Sequence, residues 1–105
     1  VASELAYSFE RPFIVTLADS RISRTLQFNV SLELSSAGYK SKIDLNAAKF
    51  RDAIISEVSG RTSVEIQSPE GKERLKRDLI RRINGLLDSP SAISSVYFPD
   101  FVVLR

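Results

Sequence analysis

The residue types in this chain limit the chemistry that it can perform. The 105 residues include no His, Cys, Met or Trp. A Ser–His–Asp triad or a Cys–His pair therefore cannot form. A zinc, haem or iron–sulfur site that depends on imidazole or thiolate ligands is excluded for the same reason. Carboxylates are what remains for acid–base chemistry.

Two pairs of carboxylates are candidates, because some hydrolases use two carboxyl groups. They are Glu70 with Glu73, and Asp19 with Asp100. Neither pair lies in an apolar stretch that would raise a pKa, and helix pairing, capping and turn roles account for all four. No acidic cluster has the spacing of a cation loop, and no Gly-rich loop has that of a phosphate site. We therefore predict no catalytic residues, no metal, no cofactor and no small-molecule substrate.

The positive charge of the chain is concentrated in one segment. The whole sequence carries 15 basic and 13 acidic residues, a net charge of +2, whereas residues 70–82 alone carry a net +3. Such clusters bind nucleic acid or anionic lipid in some proteins. Here acidic residues are interleaved at the i,i+4 spacing of helical ion pairs, as Glu70–Arg74, Glu73–Arg77 and Asp78–Arg82. This favours a self-paired helix face, with an acidic protein surface as a possible partner.

Three segments have the patterns of β-strands. Apolar and polar residues alternate in residues 12–18 and, most regularly, in residues 25–35, which predicts two antiparallel strands. Residues 92–104 are rich in β-branched and aromatic side chains and predict a third. Pro99 and Asp100 within it predict a bulge or bend on an edge strand.

A helical period follows Gly38. Apolar residues recur on one stripe from Ile43 to Val58, which predicts a helix over about 41–59 with Ser41 as N-cap. Gly60 is a plausible stop, and a start after Asn46 is the alternative.

A second helix is predicted near the basic segment. Residues 62–67 fit either a short strand or one helical turn. Ser68 and Pro69 have the types favoured at the N-cap and N1 positions, and the apolar stripe that follows reaches Leu87. Asp88 to Ser91 end this helix.

The element order is thus β-β-α-(short)-α-β. It predicts an α+β fold, a three-stranded mostly antiparallel sheet with two main helices packed on one face. We expect residues 1–105 to form a single domain.

Exposure patterns indicate two candidate interaction surfaces. The first, which we call the polar strand face, lies on the predicted second strand and is uncharged apart from one Glu; the second, the arginine stripe, lies on the basic helix. The polar strand face comprises Gln27, Asn29, Ser31 and Glu33, and the arginine stripe comprises Arg74, Arg77 and Arg81.

Several runs of sequence, in order and spacing, resemble the FliL family of bacterial flagellar basal-body-associated proteins. The likeness covers about residues 9–104. Thr16 and Leu104 depart from it, because the family usually carries Asn and Gln there. The runs are RPFIVTLAD at 11–19, FRDAII at 50–55, SPEGKERLK at 68–76, IN at 83–84 and VYFPDFVV at 96–103.

The resemblance implies a function without catalysis. It implies a periplasmic domain similar to the stomatin/prohibitin (SPFH) domain, anchored at the bacterial inner membrane by an N-terminal helix that this chain, starting at Val1, lacks. Membrane-tethered copies would associate into a ring beside the MotA/MotB stator. They would support stator engagement, torque and control of flagellar rotation in swimming, swarming and chemotaxis. The residues themselves also allow an alternative, a module that binds anionic lipid or nucleic acid through Lys72, Lys76 and Arg82. Under the leading interpretation we expect no nucleic-acid partner.

Overall fold

The computed structural model describes residues 5–104, which form six strands and four helices. The strands are β1 (Ala6–Ser8), β2 (Phe13–Thr16), β3 (Thr25–Phe28), β4 (Ser31–Leu34), β5 (Ile93–Tyr97) and β6 (Phe101–Leu104). The helices are α1 (Tyr39–Leu45), α2 (Ala47–Ser59), α3 (Ser63–Gln67) and α4 (Pro69–Leu86). The α+β class predicted from the sequence is confirmed.

The predicted sheet is divided into two antiparallel sheets of three strands each. Their strand orders are β1-β4-β5 and β2-β3-β6. The two long predicted strands each break at their middle. Residues 25–35 form β3 and β4, and residues 92–104 form β5 and β6. The second break lies at Pro99, which has no N–H to donate. The pairing continues across the break, since Phe9 N–H donates to Val30 (3.1 Å) and Asn29 N–H donates to Asp100 (3.0 Å). The predicted bend on an edge strand is therefore confirmed.

The strands alternate between a buried and a solvent-facing side, as the sequence pattern predicts. On the inner side Phe13, Leu26, Phe28 and Leu32 are almost fully buried. Burying each such side chain contributes about 1.5–3 kcal/mol. Strand β1 is the one element that the sequence patterns did not predict.

The predicted helix over 41–59 is two helices, α1 and α2. Helix α1 begins at Tyr39 with Gly38 as its N-cap, so the prediction of Ser41 as N-cap is wrong. Asn46 interrupts the helix with φ −124° and ψ 32°, and its N–H donates to the Ile43 carbonyl (3.1 Å). The alternative start after Asn46 is confirmed for α2.

The ambiguous segment 62–67 contains helix α3. A capping box fixes its start, because Thr62 Oγ1 accepts from the Glu65 N–H while the Glu65 side chain accepts from the Thr62 N–H. Helix α4 begins as predicted, with the Ser68 hydroxyl accepting from the Gly71 N–H (3.0 Å) and Pro69 at the first helical position. Helix α3 has only five residues, and so short a helix depends on its cap because few residues propagate the turn.

Helix α4 is joined to the sheet by a buried amide. Asn84 Oδ1 accepts from the Ile93 N–H (2.8 Å) and Asn84 Nδ2 donates to the Pro90 carbonyl (3.2 Å). These bonds fix the connection between α4 and β5. A buried side chain that satisfies two backbone groups is costly to replace.

Two glycines of α4 offer a matched test of the α3–α4 contact. A Cβ at Gly71 would overlap the carbonyl oxygen of Glu65, whereas a Cβ at Gly85 would meet no atom within 4 Å. We expect Gly71→Ala to lower the free energy of unfolding by roughly 1–3 kcal/mol. Gly85→Ala should raise it by up to about 1 kcal/mol, since Ala favours helix. Thermal unfolding measures both, and equal melting temperatures for the two variants would contradict this packing.

Candidate functional site

The polar strand face lies on the solvent side of the two sheets, along the central strands β3 and β4. Gln27 is exposed, and Asn29, Ser31 and Glu33 are half-buried. The antiparallel register places this row between the edge strands on either side. A central strand that is paired on both edges presents its side chains in fixed positions.

Hydrogen bonds hold three residues of this face to neighbouring strands. Asn29 Nδ2 donates to Asp100 Oδ2 (2.8 Å), and the hydroxyls of Ser31 and Ser8 share a hydrogen bond (2.9 Å). The Tyr97 hydroxyl donates to Glu33 Oε1 (3.0 Å). The face is therefore a pre-arranged polar surface, which loses little side-chain entropy on binding.

The same solvent side also carries exposed apolar residues that the sequence analysis missed. Ile14 lies opposite Gln27 on one side, and Val102 lies opposite Gln27 on the other. Ile14 is 65% exposed, Val102 51% and Leu104 40%. Their alternation with buried residues was visible in the sequence, but which strands pair, and in which register, was not. The surface is a mixed one, of the composition found at protein interfaces.

The basic helix divides into cations that the fold uses and cations that face solvent. Lys72 Nζ lies 4.4 Å from the centroid of the Phe101 ring, and Lys76 Nζ lies 5.8 Å from that of Phe98. Such cation–π contacts, together with the packed aliphatic stems, stabilise the protein itself. Two of the three cations named for the lipid or nucleic-acid alternative thus pack on the sheet.

A cluster of ion pairs joins α2 to α4. Arg61 Nη2 lies 2.6 Å from Asp78 Oδ2 and 3.3 Å from Glu57 Oε1, and Arg82 Nη1 lies 2.7 Å from Glu57 Oε2. The predicted pair Asp78–Arg82 is therefore wrong, since both partners are recruited across the helix interface. The hydrogen bond from Arg61 is the main cause that lowers the pKa of Asp78 below its ordinary value.

A second predicted pair on α4 also differs. Glu73 lies near Lys76 at i,i+3 (3.9 Å), whereas the sequence spacing predicted Arg77 as its partner. Both residues of the predicted pair Glu70–Arg74 are exposed. On an exposed helix face, ion pairs at i,i+3 and i,i+4 have nearly equal energies, so the sequence spacing alone does not determine which pair forms.

The arginine stripe is the outer face of α4. Arg74, Arg77 and Arg81 are exposed and follow one another at i, i+3 and i+7, which places them on one side of the helix. Arg81 is 78% exposed at its side chain and lies 3.3 Å from Asp78 Oδ1. The buried stripe of Leu75, Leu79 and Ile83 lies on the opposite side. These arginines are therefore available to an external acidic group.

Asp19 and Asp100, which were considered as a catalytic pair, have separate structural partners. Asp19 accepts from the Ser63 N–H (2.8 Å) and from the Ser63 hydroxyl (2.7 Å), bonds that lower its pKa. Asp100 accepts from Asn29. Glu70 and Glu73 are exposed on α4. Over residues 5–104, no three His, Cys, Asp or Glu side chains lie close enough together to hold a metal ion.

The α2–α4 ion pairs predict a defined pH dependence. Because the pKa of Asp78 is lowered in the folded state, its contribution to stability is present above the unfolded pKa of about 3.9 and is lost as the pH falls through the folded value. Asp78→Asn should therefore be less stable than wild type at pH 7, and the difference should shrink below about pH 4.

Urea unfolding at several pH values measures this difference. Glu73→Gln is the control, because its pair is exposed and long at 3.9 Å, and such pairs contribute little. A stability gap between Asp78→Asn and wild type that does not change with pH would contradict the assignment.

Comparison with known proteins supplies the context for these surfaces. Residues 6–103 match the family model described as flagellar basal body-associated protein FliL. The chain is 36% identical over 99 residues to the flagellar protein FliL of Aquifex aeolicus (strain VF5), with 94% of this chain and 61% of that protein covered. The chain thus spans about three fifths of this relative's length. Over residues 5–104 no helix has the length and apolarity needed to cross a bilayer. The resemblance seen in the sequence is confirmed, and the chain belongs to the FliL family.

Proposed function

We propose that this chain is a non-enzymatic accessory domain of the bacterial flagellar motor, which acts by binding other proteins at the basal body. The family match over residues 6–103 carries this proposal. The exposed arginine stripe and polar strand face support it, because each is a surface that the fold does not need for its own core. The partners that we propose are the stator proteins MotA and MotB and further copies of the chain.

The proposed location is the periplasmic face of the inner membrane. The full-length protein would be held there by a membrane helix ahead of Val1, and the greater length of the Aquifex relative leaves room for such a segment. Tethering raises the effective concentration of neighbouring copies. Weak contacts between domains would then suffice for a ring beside the stator.

The two surfaces have different parts in this proposal. The arginine stripe would bind an acidic surface of the stator, because guanidinium groups form paired hydrogen bonds with carboxylates. The polar strand face, with Ile14 and Val102 beside it, would form the contact between copies. The three exposed arginines would chiefly accelerate association with the stator through long-range attraction. The contact made by the arginine stripe should therefore weaken as the salt concentration rises.

Charge reversal on the arginine stripe tests the proposal in the bacterium that encodes the chain. We expect Arg77→Glu with Arg81→Glu, in the full-length protein, to reduce swimming speed or swarming severalfold while the protein remains folded and abundant. Surface changes of this kind alter stability by about 0.5 kcal/mol or less. Motility tracking and an immunoblot measure the two quantities. The control is Arg21→Glu, an exposed cation in the turn before β3.

Unchanged motility, together with unchanged cross-linking to a stator fragment, would contradict the role of the stripe. Binding experiments separate the lipid and nucleic-acid alternative. Vesicles of anionic phospholipid or a DNA duplex should not retain the wild-type chain at physiological salt. Salt-sensitive retention that the charge reversal abolishes would instead favour that alternative.

A further inference from the structure

We propose that a groove at the C-terminal end of α4 binds an apolar side chain from an extended segment of a partner protein, whose acidic residues lie on the arginine stripe. This rests on the proposed function, because it names the chemistry of the partner segment that the arginine stripe would bind. The groove lies between the last turns of α4 and the connection to β5. Its lining includes Ile80, Arg81, Gly85, Asp88 and Pro90.

The groove has the size and the surface of a site for a side chain. Its volume is about 630 Å³, within the roughly 300–1,000 Å³ of ligand sites. Ile80 is half-buried and Pro90 is exposed, so the walls offer apolar surface. Asn84 also lines the groove, but its side chain is bonded to the backbone of Pro90 and Ile93. An apolar side chain that enters would remove the apolar surface from water.

The floor of the groove contains a glycine that the fold itself does not require. Gly85 lies in the last turn of α4 and does not have a positive φ. A Cβ there would meet no atom within 4 Å, and Ala would favour the helix more. The left-handed position at the end of α4, where Gly is favoured, is instead occupied by Asp88 with φ 56°. A bare backbone at an exposed position suits the close approach of an external group.

The charges around the groove are of opposite sign at its two walls. Arg81 is 78% exposed at its side chain, although it lies 3.3 Å from Asp78 Oδ1. Because a guanidinium has five N–H donors, it can bind a second carboxylate. The other wall carries Asp88, and the C-terminal end of a helix adds partial negative charge. An acidic side chain is therefore favoured at Arg81 and disfavoured within the groove, which fixes the order of residues in the bound segment.

The spacing along α4 defines the pattern of this segment. Arg77, Arg81 and Gly85 follow one another at four-residue intervals, which correspond to steps of about 6 Å along the helix. Alternate residues of an extended chain lie on the same side, about 6–7 Å apart. A segment with acidic residues at its first and third positions and an apolar residue at its fifth would therefore match the two arginines and the groove.

Filling the groove from its floor tests the inference. We expect Gly85→Leu in the full-length protein to reduce swarming and cross-linking to the stator fragment severalfold, because the new side chain occupies the place of the partner's. The melting temperature of the 105-residue chain should equal or exceed that of wild type, since Leu favours helix more than Gly. A residue with a merely structural role would not lose function while the domain stays stable.

The matched control is a second exposed glycine with open space around it. A Cβ at Gly60 would also meet no atom within 4 Å, and this residue lies at the C-terminal end of α2, outside the groove lining. Gly60→Leu should leave swarming and stator cross-linking unchanged. An equal fall in function for Gly60→Leu and Gly85→Leu would overturn the inference.

Two synthetic peptides test the chemistry of the bound segment directly. The first is acetyl-Glu-Thr-Glu-Thr-Leu-amide, and the second has Ser in place of Leu. In NMR titrations of the 105-residue chain at low salt, the first peptide should shift the amide signals of Gly85 and Asp88. The second should bind at least threefold more weakly, because it has no apolar side chain to bury. Gly85→Leu should abolish the difference between the peptides.

Equal shifts at Gly85 with the two peptides would overturn the inference, as would wild-type swarming and stator cross-linking in Gly85→Leu. The proposed function is tested separately by charge reversal at Arg77 and Arg81. When that reversal lowers motility and Gly85→Leu does not, the inference about the groove fails and the proposed function stands. When the reversal leaves motility and stator cross-linking unchanged, the proposed function itself fails.

Discussion

The bend shared by the long strands is the constraint on which the rest of this structure depends. Aromatic rings fill the inner side of the bend and join the two sheets. Phe13 and Phe28 stack with centroids 5.1 Å apart, Phe9 meets Phe13 edge-on at 5.5 Å, and Phe98 meets Phe28 edge-on at 6.0 Å. Phe9 follows β1 and Phe98 follows β5, so these contacts connect the ends of strands in one sheet to Phe13 and Phe28 in the other, and the two sheets act as one support for the helices.

Contacts with the sheets and ion pairs within the fold also determine which cations remain available to a partner. Arg51 lies 4.0 Å over the Phe13 ring, and Lys72 lies over Phe101. These cations, together with Arg61 in its ion pairs, are held by the fold. A count of basic residues therefore overstates the charge that a partner would meet. The arginine stripe is the exposed positive charge that α4 still presents, although Arg81 also contacts Asp78 at 3.3 Å.

Much of the fold could be predicted because its signals are local. The alternation from Leu26 to Leu34 and the cap at Ser68 depend on residues next to each other in the chain, and both are confirmed. The start of α2 after Asn46 was predicted only as an alternative, and the separate helix α1 and the short strand β1 were not predicted, because tertiary packing stabilises them over local conformations of similar energy. The single-domain, periplasmic and SPFH-like assignments stay predictions.

The two candidate surfaces lie on opposite sides of the molecule, so neither obstructs the other. The solvent side of the sheets holds the polar strand face, the inner side holds the core, and the arginine stripe lies beyond α4. A contact on one side therefore leaves the other side accessible to a second partner. Such a domain could act through two separate weak contacts, whose combined strength depends on whether both are made together.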